Sequence, residues 1–264
     1  MSVSAAGQRG SGDGTRSPAP RDAFDSRWAA LPGHARDLGR AAGLPAGFRA
    51  AGVACGIKPS GGPDLALLVC DARTPVSAAR FTASGAPAAP VILTRERCRL
   101  QALRAVLAYA GCANAATGAR GLDDAAKTQG AAAMAAGVDP GAVALASTGA
   151  ISHYLPVEAM LKGILQAREQ LSPSGDRAFG GAIQTTDRSE KRANLQVALP
   201  SGTVRLSAQC KGAGMISPDF ATMLCFVQTD AALEPATADL LLGSARRTRS
   251  SGSPSTVSCR PTTP

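Results

Sequence analysis

The sequence predicts a mixed α/β (α+β) body, and three observations carry that prediction. Short apolar runs bounded by glycine and proline read as strands, two longer stretches carry helix start and stop signals, and strand-like runs return after the second of these. At 264 residues and 45% hydrophobic, the chain has material for the core of one large domain or two smaller ones.

In chain order, residues 1–40 open with "MSVSAAGQRGSGDGTRSPAPRD" and are rich in Gly, Ser, Pro, Arg and Asp. They bury too little apolar surface to offset ordering entropy and are expected to form a disordered leader. The texture changes at "LPAGFRAAGVACGIKPSGGPDLALLVCD", where Leu65–Cys70 reads as a buried strand. Leu103–Tyr109 and Gly141–Thr148 read as further strands. Between them Leu122–Ala136 is alanine-rich, opens on Asp123 and Asp124 and closes at Gly137, which predicts a helix. Pro156–Leu171 predicts an amphipathic helix starting just after its proline, with Val157, Leu161, Ile164 and Leu165 on one face. Strands are expected again at Leu195–Leu199, Thr203–Leu206 and Met223–Gln228.

Composition excludes several function classes. The net charge is +9, but residues 1–40 contribute +2 and residues 244–264 contribute +4, so the basic balance belongs mostly to the ends. With 3% aromatics there is no stacking platform, and nucleic-acid binding is not expected. The seven cysteines are scattered without a CxxC pair and there are two histidines, so neither a disulfide framework nor a metal site is expected; a reducing, cytoplasmic setting is. No run approaches the roughly 18 apolar residues of a membrane span, and no signal-peptide core opens the chain, so no membrane association is expected.

Two loops hold residues of chemical interest. In "ASTGAIS" (Ala146–Ser152), Thr148 offers a hydroxyl and Gly149 an unobstructed backbone N–H, the donors an oxyanion hole requires, although most Ser-Thr-Gly loops are simply turns. In "KGAGMISPDFATML" (Lys211–Leu224), two glycines and a proline lead to an Ala-Thr step. A threonine hydroxyl needs a base, and cleavage of the Ala221–Thr222 bond by that hydroxyl would free an α-amine, titrating near pH 7.7–8.0, to serve as one. On composition alone Thr222 reads instead as an ordinary β-branched residue opening the strand Met223–Gln228.

Four ordered motifs carry a resemblance: "GFRAAGVACGIKPSG" (Gly47–Gly61), "ALASTG" (Ala144–Gly149), "TTD" (Thr185–Asp187) and "KGAGMISPDFATML". Over Leu44 to about Asp230 the chain resembles the ornithine acetyltransferases, the bifunctional glutamate N-acetyltransferases of arginine biosynthesis. The resemblance implies a self-processing N-terminal-nucleophile enzyme of the ornithine acetyltransferase, aminopeptidase-like fold. It implies cleavage at Ala221/Thr222 into an α-chain-like region (41–221) and a β-chain-like region beginning at Thr222, with Thr222 as nucleophile and Thr148 and Gly149 as the oxyanion hole. Substrate-binding positions fall on Thr185, Lys211 and Thr222; a lysine suits a substrate carboxylate and Thr185 a neutral hydrogen bond. The implied reaction moves an acetyl group from N-acetylornithine to glutamate, with acetyl-CoA as an alternative donor in some members, no resident cofactor, and an α2β2 assembly.

The chain departs from the family pattern in "YAGCANA", where Tyr109 and Cys112 stand at positions usually held by asparagine, and in "FTASGAPAAP" (Phe81–Pro90), which lacks the family's Asn and Lys. Residues 222–243 are expected to start the β-chain-like region, and residues 244–264, without periodicity, to be an aberrant, frameshifted tail. Read one frame over, Arg249–Pro264 back-translates to a segment resembling the family's continuation, a reading that the coding DNA tests directly. Two alternatives stand beside acetyl transfer: an inactive truncated remnant of this enzyme, and a second enzyme reading, a related amidase or peptidase that delivers the acyl group to water. A non-enzymatic binding module using the arginine-rich ends is the alternative from another class.

Overall fold

The computed structural model describes residues 31–212, 222–247 and 254–260. In chain order the strands are β1 (Ala35–Asp37), β2 (Phe48–Val53), β3 (Leu65–Cys70), β4 (Val76–Arg80), β5 (Ala105–Cys112), β6 (Val143–Ala150), β7 (Lys191–Leu199), β8 (Gly202–Lys211), β9 (Met223–Thr229) and β10 (Pro254–Arg260). The helices are α1 (Ala89–Arg97), α2 (Gly118–Ala136), α3 (Val157–Glu169), α4 (Asp176–Ala182) and α5 (Pro235–Arg247). Two sheets result, one ordered β2-β3-β5-β6 and one ordered β1-β7-β8-β9-β10-β4, so the expected mixed α/β class is the observed one.

The four-stranded sheet is covered on both faces, which explains why β3 is a continuous apolar run rather than an alternating one. Leu65, Leu67 and Val69 pack with Leu93 of α1, Ala132 and Ala133 of α2, and Met160 and Ile164 of α3. Their even-numbered neighbours Ala66 and Leu68 point the other way and join Phe179 and Ile183 with Leu224 and Phe226 of β9. There Phe179 meets Phe226 edge to face, with ring centroids 5.1 Å apart. The parallel pair β5 and β6, joined through α2, contributes residues to both cores, with β6 at the edge of the sheet.

Several elements differ from the sequence expectations. Helix α2 begins at Gly118, before the aspartate pair, and ends as expected at Gly137 in a left-handed cap (φ +67°). Helix α3 is rotated relative to the expected face: Met160, Gly163, Ile164 and Ala167 are buried, while Leu161 and Leu165 are exposed. Glycine carries no apolar signal, yet Gly163 is where α3 comes closest to the chain at Cys55, because a Cβ there would lie 2.5 Å from the Cys55 Cβ. Residues 35–37, assigned to the leader, form an edge strand against β7. At the other end α5 runs across the 243/244 boundary to Arg247 and packs on β4, with Arg80 and Asp239 paired at 2.5 and 2.7 Å. Pro254–Arg260, assigned to the irregular tail, lies as a strand between β9 and β4.

Candidate active site

The carboxyl ends of β5 and β6 approach unusually closely. Gly149 has φ +135°, and a Cβ there would lie 2.2 Å from the carbonyl carbon of Gly111, itself at φ +116°. Only glycine at 149 permits this approach, while a Cβ on Gly111 would meet Ile57 instead. The ladder is irregular at the same point, with Cys112 facing both Thr148 and Ala150, and this bulge re-aims the end of β6. The turns that follow hold Asn114, Ala116 and Ser152 at positive φ, a concentration of backbone strain of the kind found at functional loops.

The Tyr109 and Cys112 departures are accommodated here. Tyr109 is fully buried in the core; its hydroxyl lies near Asn114 and Ser147 but makes no well-formed hydrogen bond, and burial pushes its pKa up. Cys112 Sγ donates to the His153 carbonyl at 3.3 Å. The remaining asparagine does the loop work: Asn114 Nδ2 donates to the Gly121 carbonyl at 2.9 Å and its Oδ1 accepts from Thr117 Oγ1 at 2.7 Å.

Lys211 reaches this point from the other sheet. It ends β8, pairs with Leu224 of β9, and is 5% exposed, so it is not a solvated surface lysine. Its Nζ donates to Thr148 Oγ1 at 2.8 Å. Burial lowers the Lys211 pKa from the ordinary lysine value, with nearby Asp187 opposing that shift and Lys191 adding to it. An ammonium has three donors and no acceptor, so Thr148 Oγ1 must accept this bond, and its own hydrogen is left to point elsewhere. The pairing thus leaves the Thr148 hydroxyl hydrogen free to donate elsewhere, next in sequence to Gly149.

Asp187 connects the remaining motif. Its Oδ1 accepts the Gly212 N–H at 2.9 Å and Lys191 Nζ at 2.5 Å, and its Oδ2 accepts the Thr185 N–H at 3.4 Å. Burial alone would raise the Asp187 pKa, but Lys191 and the two amides outweigh it and hold the carboxyl below its ordinary value. Thr185 is exposed in the loop after α4 and, among the described residues, is linked toward Lys211 through this Asp187–Gly212 connection. Thr222 is also exposed, immediately before β9 and two residues ahead of the partner of Lys211, so strand register brings it to the same end of the sheet. Ala221 lies outside the described residues.

The structure therefore joins Thr148, Gly149 and Lys211 directly, and links Thr185 and Thr222 to them through a hydrogen-bonded loop and strand register. Sequence reasoning missed the anchoring by Asp187 and Lys191, although "TTD" was a visible motif; a carboxylate that grips backbone amides has no signature in residue spacing. Three of the thiols are unsuited to nucleophilic work, since burial pushes Cys55 up to about 12 and Cys70 and Cys98 up to about 11. Among the described residues no group of three or more His, Cys, Asp or Glu is placed to hold a metal ion, and no helix is long and apolar enough to cross a membrane.

The ArgJ family model matches residues 49–250, reaching past the Asp230 limit of the motif resemblance. The arginine biosynthesis bifunctional protein ArgJ of Symbiobacterium thermophilum is 45% identical over 195 residues, covering 73% of this chain and 48% of its own. ArgJ 1 of a Nostoc species is 42% identical over 190 residues, covering 72% and 46%. The chain spans about half the length of the curated relatives it matches. Among solved structures, ArgJ of Bacillus halodurans superposes with a TM-score of 0.63 at 34% identity, covering 72% of this chain and 97% of that one. The ornithine acetyltransferase of Mycobacterium tuberculosis, complexed with ornithine, superposes with a TM-score of 0.62 at 38% identity, covering 70% and 98%. With most of its length matched by the family model and its mixed α/β fold shared with these structures, the chain belongs to the ArgJ family.

Proposed function

We propose that this chain carries the nucleophile and oxyanion hole of an acetyltransferase that moves an acetyl group from N-acetylornithine to glutamate through an acetyl-threonine intermediate. The observation that supports this most directly is the 2.8 Å bond from buried Lys211 to Thr148, beside the Gly149 amide.

In the first stage Thr222 Oγ attacks the Ala221 carbonyl carbon, the C–N bond breaks, and an ester forms as the amine departs with a proton. Water hydrolyses the ester, leaving an Ala221 carboxylate and a Thr222 with free amine and hydroxyl. In the second stage that amine takes the hydroxyl proton while Oγ attacks the acetyl carbonyl of N-acetylornithine. The developing oxyanion accepts from Thr148 Oγ1–H and Gly149 N–H. Collapse expels ornithine, whose α-amine takes the proton back from the Thr222 ammonium. Glutamate's α-amine then attacks the acetyl ester by the reverse sequence, giving N-acetylglutamate. Lys211 and Thr185 bind the substrate's polar groups. No step requires a resident cofactor; acetyl-CoA is an alternative acetyl donor, and an α2β2 assembly of the processed chains is the expected form.

Mass spectrometry of the purified protein tests this reading. The expected result is two fragments meeting at Ala221/Thr222, absent in Thr222→Ala, with an acetyl adduct on the Thr222 fragment after incubation with N-acetylornithine. An intact chain without adduct sinks it, and release of acetate in place of N-acetylglutamate moves it to the amidase reading.

A further inference from the structure

The loop Cys55–Lys58 folds around one buried carboxylate. Asp64, just before β3, has no exposed surface. Its Oδ1 accepts the Cys55 N–H at 2.8 Å, and its Oδ2 accepts those of Gly56, Ile57 and Lys58 at 3.1, 2.6 and 2.9 Å. Its backbone is tied on both sides as well, donating to the Val53 carbonyl at 2.9 Å and accepting from the Ala110 N–H at 2.8 Å. A carboxylate that gathers four consecutive amides fixes the path of the chain more firmly than neutral hydrogen bonds would.

What the loop is held against matters more than the loop itself. The carbonyl carbon and Cγ2 of Ile57 both lie 3.1 Å from where a Cβ on Gly111 would stand, and the Gly111 carbonyl carbon lies 2.2 Å from the corresponding point on Gly149. Behind the loop, Cys55 presses on Gly163 of α3. The loop is thus wedged between a helix and the end of β5, and Ile57, Gly111 and Gly149 stack in that order. The last of these adjoins the Thr148 that Lys211 holds.

We infer that Asp64 is a positioning residue for the Thr148 and Gly149 donors. Its carboxylate sets the 55–58 loop, Ile57 backs the β5 bulge at Gly111, and the bulge fixes the direction of the Gly149 amide. The inference rests on the acetyl-transfer reading for its kinetic consequence, but not for its structural one.

Two variants and two readouts test it on the purified chain. Asp64→Asn keeps the volume but turns an NH2 group toward amide donors. Amides 55–58 are expected to exchange with deuterium at least about tenfold faster, and so is the Ala113 N–H, which donates to the Ala150 carbonyl at 2.8 Å across the bulge. The kcat for acetyl transfer is expected to fall about 10- to 100-fold with KM within about twofold. Ile57→Ala leaves the four amide bonds intact, and is expected to speed Ala113 exchange and lower kcat without speeding loop exchange. Faster loop exchange in Asp64→Asn with Ala113 exchange and kcat unchanged overturns the inference. Should the wild-type chain transfer no acetyl group, the acetyl-transfer reading fails while Ala113 exchange still decides this one. Should Asp64→Asn not fold, Ile57→Ala with wild-type Ala113 exchange overturns it.

Discussion

The Lys211 ammonium, at the end of β8, donates to the hydroxyl of Thr148 at the end of β6 across 2.8 Å, joining the two sheets where the candidate catalytic groups collect. Thr148→Val preserves shape but strands the buried ammonium without its acceptor. We expect a loss of about 1–3 kcal/mol in denaturant unfolding, and a fall of roughly 10²–10³ in kcat for acetyl transfer. Lys211→Met should be non-additive with Thr148→Val in a double-mutant cycle, because each removes the same contact. Additive effects would mean that the bond is incidental.

The pKa of Lys211 is lowered, chiefly by burial, so its linkage to stability has a definite sign. Between the depressed folded value and the ordinary 10.5 the unfolded chain binds more protons than the folded one, so stability rises with pH across that window. Below the folded value the native state carries the burial penalty of the charged ammonium. Lys211→Met is expected to remove this rise, read as a flatter stability–pH curve on the alkaline side. An unchanged curve would place the ammonium in solvent.

Gly149→Ala is expected to be severe, because it forces a side chain into positive φ and into backbone 2.2 Å away. A loss of about 3 kcal/mol or more, seen as a lower thermal midpoint, follows. Gly130→Ala in the interior of α2 is the internal contrast, since a Cβ there meets nothing within 4 Å. It should stabilise by about 0.5–1 kcal/mol through helix propensity.

Phe179→Ala would hollow the core between the sheets, where its ring meets Phe226 at 5.1 Å and neither side chain is exposed. The expected cost is about 3–5 kcal/mol by denaturant titration. A loss near 1 kcal/mol would mean that α4 collapses onto β9 to refill the space.

Legibility in the sequence followed the strength of local signals. Leu65–Cys70 matches β3 at both ends because a strand buried on both faces is apolar at every position. The end of α2 was readable from Gly137, whose left-handed cap is a local conformational demand. The short elements β2, β4, α1 and α4 were not anticipated. In β2 and β4 the runs "FRAAGV" and "VSAAR" place small residues beside charged ones, with little apolar contrast to read. The turned face of α3 was missed because its closest approach is made by glycine.

The candidate site divides the same way. By itself the sequence determined the mixed α/β class, the family-like motifs, and the chemistry that Thr148, Gly149, Thr185, Lys211 and Thr222 have to offer, because residue type and order are enough for those. Only the tertiary structure decided that Lys211 is buried on Thr148 rather than solvated, that Asp187 grips Gly212, and that Asp64 holds a loop behind Gly111. Each of these joins residues from separate elements, and both burial and hydrogen-bond direction depend on how two sheets and their loops meet in space.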